Sequence, residues 1–191
     1  MQSNDKTLVE EAKTDSQAFG VLYDQYIDKI YGYVLRQTQD GATAEDITAV
    51  TFEKALRHIQ KYEWRDKSFA AWLYRIAHNE IIQHHRKRRF LVPFQATQNG
   101  RYHQTNGRTP ETAVLHQQRN QTLHQAIDQL SNKDKEVVTL RYFTELSNDE
   151  IAEVLGCSTS NVYLRLHRAL KRLRQKIDKL EANSKEINYV S

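Results

Sequence analysis

At 191 residues the chain has room for one ordinary domain or two small ones. Six glycines and two prolines are too few for the turn-punctuated pattern of an all-β protein, so helices should dominate. The formal net charge is only +4, but it is concentrated. His84-His85-Arg86-Lys87-Arg88-Arg89 and the run from Arg165 to Lys176 are basic, while Asp and Glu gather around 145–153 and near both ends. Two separate basic patches point to a long polyanion, because each Lys or Arg placed on a phosphate releases a counterion. The single cysteine, Cys157, excludes an intramolecular disulfide and fits a reducing compartment. No apolar run approaches bilayer length, and MQSNDKTLVEEAKTD lacks the apolar centre of a signal peptide, so a cytoplasmic protein is expected.

Residues 1–17 read as an N-terminal tail. From Ser16 to Arg36, Phe19, Leu22, Tyr23, Tyr26, Ile30, Tyr33 and Val34 trace a helical stripe that Gly41 breaks. Thr43 with Asp46 then predicts the start of a second helix, with Ile47, Val50, Phe52, Ala55, Leu56 and Ile59 as core candidates. After the polar loop Tyr62 to Lys67, a third helix carries Phe69, Trp72, Leu73, Ile76 and Ala77 on its apolar side and ends in the basic cluster. Pro93 forbids its continuation. Residues 91–108 lose the period and read as a flexible linker.

Thr109-Pro110, a cap followed by proline at the first helical position, restarts helix. Leu123, Ala126, Ile127 and Leu130 continue it, and Ser131 begins another helix carrying Val137, Val138 and Leu140. The most informative stretch follows, LSNDEIAEVLGCSTSNVYLRLHRALKRL from Leu146 to Leu173. Ser147 and Glu150 form a Ser-x-x-Glu capping box. Ile151, Val154 and Leu155 give the short helix one apolar face, and Gly156 supplies the left-handed turn that ends it. Ser158 caps the next helix, whose apolar positions Val162, Leu166, Ala169, Leu170 and Leu173 recur every three or four residues. Asn161, Arg165, Arg168 and Arg172 occupy the opposite face. This is the layout of a helix-turn-helix, in which the second helix enters the major groove. Its plain counterpart is a helical hairpin with a solvated basic face. The tail after Leu180 reads as frayed.

His78, Glu80, His84 and His85 raise the question of a metal enzyme. Adjacent His84 and His85 diverge on a helix, His-Glu-x-x-His is absent, and one cysteine cannot build a zinc knot. Neither a metal nor a cofactor is expected, and no enzymatic reaction is assigned.

The order of these elements, all-α with two small helical domains on a flexible linker and a helix-turn-helix in the second, resembles the extracytoplasmic-function (ECF) sigma factors of bacterial RNA polymerase. AEDITAVTFEKAL at 44–56 and FAAWLYRIAHNEIIQHHRKRR at 69–89 are similar to the family's second and third helices. The sequence LSNKDKEVVTLRYFTELSNDEIAEVLGCSTSNVYLRLHRALKRLR at 130–174 is similar to its promoter-binding C-terminal domain. Ala49, His78 and Gln83 stand where Gln, Arg and Asp are common, and Tyr163-Leu164 replaces a frequent Lys-Ser pair. The resemblance implies a region-2-like domain over 18–90, the linker over 91–108, a region-4-like domain over 109–178 and a C-terminal tail over 179–191.

The same resemblance implies roles. The second helix of the helix-turn-helix should meet the minus-thirty-five element, with Ser160, Asn161 and Arg165 as base readers. A bidentate Asn–adenine or Arg–guanine pair is worth about 1–3 kcal/mol of discrimination. Arg168, Lys171 and Arg172 should hold phosphates, which sets register. Trp64 should pocket an extruded base at the minus-ten region, with Asn79, Arg86 and Arg88 along the third helix contacting bases and backbone. Trp72 belongs to the core stripe. Asp46, Glu53, Lys54 and Arg57 should grip the clamp helices of the polymerase, and linker residues Val92 to Thr97 should enter its channel. The implied partners are core RNA polymerase, promoter DNA and an anti-sigma factor, with no small-molecule substrate. A dimeric helix-turn-helix regulator and a structural helical adaptor are the competing readings.

Overall fold

The computed structural model describes residues 2–64, 68–91 and 121–190, and every regular element among them is helical. The expectations for Pro93, the linker, Val92 to Thr97 and Thr109-Pro110 lie outside the described residues. The chain divides into two units, one of residues 1–100 with 139–162, the other of 101–138 with 163–191.

The first unit begins with α1 (Gln2–Ala12), where the sequence was read as a tail. It is held rather than loose, with Val9 and Ala12 buried. The buried Asp5 accepts hydrogen bonds from Tyr26 Oη at 2.6 Å and Gln25 Nε2 at 3.0 Å. Helix α2 (Ser16–Thr38) starts on the carboxylate of Asp15, which accepts from the Gln17 amide. It ends at Gln39, which takes the left-handed conformation at φ 56° and donates its amide to Leu35 O. The helix therefore stops two residues before the glycine expected to break it.

Helix α3 (Gly41–His58) is capped by Asp40, whose carboxylate accepts from Thr43 N at 2.9 Å. Its start thus precedes the expected Thr43, because a better-placed acceptor lies three residues upstream. A hydrogen bond from the Thr43 side chain, joined by the one from its amide, holds the Asp40 carboxyl below its ordinary pKa. A 3₁₀ turn (Ile59–Lys61) closes α3. Helix α4 (Phe69–Leu91) begins where Ser68 Oγ accepts from Ala71 N.

Leu22, Ile30, Tyr33 and Val34 of α2, Ala44, Phe52 and Ala55 of α3, and Phe69, Leu73 and Ala77 of α4 make the core. Each fully buried large side chain contributes about 1.5–3 kcal/mol. Tyr33 meets Tyr74 edge to face, 5.3 Å between centroids, and burial pushes the Tyr74 phenol well above its ordinary pKa. Two expected core residues, Tyr23 and Leu56, are instead 40% and 50% exposed.

Within this unit also lie the end of α6 (Asn132–Phe143), all of α7 (Asn148–Val154) and the first turn of α8 (Thr159–Val190). The capping box forms as predicted. Ser147 Oγ accepts from Glu150 N, and Glu150 Oε2 accepts from Ser147 N at 2.8 Å. Gly156 takes φ 62°, a conformation an L side chain would strain, and Cys157 N donates to Ala152 O to close the helix end. Ser158 Oγ accepts from Asn161 N at the start of α8.

The second unit contains α5, described over 121–128, the first part of α6, and α8 from residue 163. Ala126, Leu130, Val137, Val138, Ala169 and Leu173 are buried in it. Leu123, expected inside, is 38% exposed. Helix α8 runs unbroken to Val190, where a frayed tail was expected after Leu180. Past Gly156 the sequence contains neither glycine nor proline, so nothing local interrupts the backbone hydrogen bonds.

Candidate nucleic-acid and polymerase interfaces

Helix α8 carries the candidate readers of duplex DNA on one row. Ser160, Arg168 and Lys171 are exposed, and Asn161 and Arg165 are half-buried. Helical spacing places Ser160, Arg168 and Lys171 on the face away from buried Val162, Ala169 and Leu173, with Asn161 and then Arg165 nearer to that buried line. The helix has no carboxylate between Thr159 and Lys176, so this face is cationic throughout.

Arg172 stands apart from the expected phosphate contacts. Its Nη1 donates to both carboxylate oxygens of Asp134, each at 2.8 Å, joining α8 to the first turn of α6. Asp134 is fixed from its other side, since Ser131 Oγ donates to Oδ2 at 2.8 Å and accepts from the Asp134 amide. Buried Lys135 reaches Asp128 Oδ1 at 3.4 Å.

A ring cluster occupies the start of α4. Tyr62 is its centre, 4.9 Å from Trp72, 5.7 Å from Phe69 and 6.4 Å from Trp64. Burial pushes the Tyr62 hydroxyl up to about 12, so it stays protonated at any ordinary pH. Trp64 is half-buried, and so is Trp72, which was expected in the core. The apolar stripe of α4 is narrower than its periodicity indicates, and Trp72 stands at its edge. Residues 65–67 of the loop lie outside the description. Asn79, Arg86 and Arg88 are all exposed along α4.

Asp46, Glu53 and Arg57 form one line on α3, being seven and four residues apart. All three are exposed. Glu53 and Arg57 pair with each other at 2.5 Å. Lys54 is turned aside, reaching Glu80 of α4 at 2.5 Å, and that carboxylate is largely buried. Lys54 thus ties two helices together. Exposed Leu56 joins the outer side of α3 beside Glu53 and Arg57, a position that periodicity alone assigned to the core.

Glu150 links α7 to α4. Besides capping α7, it accepts from Ser68 Oγ and, at 3.3 Å, from the Ser68 amide. Burial alone would raise its carboxyl pKa, but the hydrogen bonds from Ser68 and Ser147 outweigh burial and hold it below the ordinary value. Arg75 of α4 donates to Glu153 O, and Arg36 lies 4.5 Å over the ring of Phe143. None of these long-range partners was foreseeable from spacing.

Residues 22–90 match the Sigma-70 region 2 family and residues 120–173 match Sigma-70 region 4. Over 179 residues the chain is 35% identical to the ECF RNA polymerase sigma factor SigW of Bacillus subtilis, covering 90% of this chain and 95% of that protein. The chain belongs to the ECF sigma factors. It is also 36% identical over 167 residues to the ECF sigma factor BldN of Streptomyces coelicolor. That match covers 87% of this chain and 63% of that longer protein. The sigma factor RpoE of Bartonella quintana, solved in complex with the anti-sigma factor NepR, shares the fold at a TM-score of 0.68. Its identity is 20%, over 84% of this chain and 96% of that one.

In this ECF sigma factor every candidate minus-ten and polymerase residue falls inside the region 2 match, and every minus-thirty-five candidate inside the region 4 match. Among the described residues no group of three or more His, Cys, Asp and Glu side chains is placed to hold a metal ion; His84 and His85, expected to diverge, instead meet edge to face. Among the same residues no helix is long and apolar enough to cross a membrane.

Proposed function

We propose that this sigma factor binds core RNA polymerase, places its two DNA-binding regions on one promoter and directs initiation there, with RNA synthesis left to the polymerase. The observation that carries this is the presence of regions 2 and 4 in that order in one chain, with the cationic row of α8 turned to solvent. Residues 18–90 act as the region 2 module, 91–108 as a tether and 109–178 as the region 4 module. Tethering raises the effective concentration of the second module once the first has bound.

In this reading Ser160, Asn161 and Arg165 read the minus-thirty-five element, while Arg168 and Lys171 hold phosphates. Arg172 braces α8 through Asp134 instead. Trp64, which with Trp72 packs around Tyr62, offers a stacking surface for unpaired minus-ten bases, and Asn79, Arg86 and Arg88 follow the strand. Asp46, Glu53, Arg57 and Leu56 present the polymerase-binding surface. Lys54 supports that surface through Glu80. Action on polymerase places the protein in the cytoplasm. The complex of Bartonella quintana RpoE with NepR supports an anti-sigma factor as its regulator.

The test is reconstitution. The purified chain is added to core RNA polymerase and offered a promoter library. Discrete start sites with a shared upstream pair of elements support the reading. Failure to bind core enzyme removes it, and binding of operators as a free dimer favours a conventional regulator.

A further inference from the structure

Leu164 is 48% exposed on α8, and its position on the helix is unusual. Buried Val162, Ala169 and Leu173 mark the inward line. At about 100° per residue, Leu164 lies almost diametrically opposite that line. Its neighbours on the helix surface, three, four and seven residues away, include Asn161, His167, Ser160, Arg168 and Lys171. An aliphatic side chain thus stands in the middle of the cationic row. Tyr163 is also exposed, at 59%, but lies to the side of this row.

Water gives a leucine no reason to be there, and neither does phosphate. The major groove offers base edges dominated by donors and acceptors, and one apolar group, the C5-methyl of thymine. Flanking cations that hold phosphates would press the outermost residue of α8 toward the base edges. We propose that Leu164 is a specificity-determining residue that packs on a thymine methyl in the upstream promoter element. It selects thymine by contact rather than by hydrogen bonding. This inference rests on the sigma-factor reading above and adds a residue to its upstream recognition.

The test uses holoenzyme reconstituted from full-length chain and core polymerase, on an upstream element selected from randomised duplexes. Each thymine of that element is replaced in turn by deoxyuridine, which removes the methyl and leaves every hydrogen-bonding group. At one position this should weaken wild-type binding about fourfold, the value of one buried methyl group. Leu164→Ala, at an exposed site and with a better helix former, should fold normally and be indifferent to that replacement. It should still discriminate at positions read by Asn161 and Arg165. Equal sensitivity of wild type and Leu164→Ala to every deoxyuridine, or no sensitivity in either, overturns the inference while upstream selection itself leaves the sigma reading standing. Absence of any selected upstream element overturns both.

Discussion

One nitrogen of Arg172, Nη1, serves both oxygens of the Asp134 carboxylate, so an arginine that the family resemblance gave to a phosphate braces α8 against α6. The Arg172 side chain is 56% exposed, so solvent screening limits the pair to about 1 kcal/mol. Arg172→Ala should lower the melting temperature by roughly 2–4 °C. Asp134→Ala should cost more, because the Ser131 hydroxyl also loses its acceptor. A double-mutant cycle by thermal denaturation should show coupling between the two. Unchanged stability of Arg172→Ala, with loss of DNA affinity alone, would restore its role as a phosphate contact.

Glu150 should make stability acid-sensitive. Its folded carboxyl lies below the ordinary value of 4.5, so it stabilises the fold above that pH. The contribution is lost as pH falls below 4.5 and through the folded value. Glu150→Gln keeps a side-chain oxygen for the Ser147 amide but cannot titrate. Urea denaturation between about pH 6 and 3 should show a smaller loss of stability in the variant than in the wild type. Parallel curves would mean that Glu150 titrates as it does in the unfolded chain.

Leu56 gives a test of the α3 surface. Its side chain is half exposed, so Leu56→Glu should leave the melting temperature within about 1–2 °C of wild type, Glu being nearly as good a helix former. Affinity for core polymerase should fall about tenfold, as burial of an unpartnered carboxylate at an apolar contact requires. Unaltered affinity by fluorescence titration would place the polymerase contact elsewhere.

Local sequence made some of this structure legible, because some features are closed within a few residues. The Ser147–Glu150 box, the Gly156 turn and the Ser158 cap each depend on neighbours three or four positions away, and all three form. Features set by the tertiary fold were not legible. Periodicity finds the direction of a helix's apolar stripe but not its width, so Leu56 and Trp72 were placed inside and stand at or beyond the edge. Arg172 finds Asp134 thirty-eight residues away and Ser68 finds Glu150 eighty-two away, distances no spacing rule spans. Helix α1 was missed because its apolar positions are few, and its burial depends on Asp5 meeting Tyr26.

Trp64 tests the minus-ten assignment. It is half-buried at the rim of the Tyr62 cluster, 6.4 Å between ring centroids. Trp64→Ala should slow open-complex formation by the equivalent of about 1–3 kcal/mol, the worth of one stacked base, on duplex promoters. A template with a premelted minus-ten bubble should recover only the melting part of that loss. Equal rates for variant and wild type on duplex DNA would remove Trp64 from strand separation.

The central claim is that one chain both joins polymerase and chooses the promoter, and 5′-end mapping of transcripts from reconstituted holoenzyme tests it most directly. Wild type should yield discrete start sites downstream of a common bipartite sequence. Arg165→Ala should widen the set of upstream elements used, while Lys171→Ala should lower output evenly and flatten the salt dependence. Transcripts starting at the same positions with and without the protein, or none that depend on it, would contradict the account.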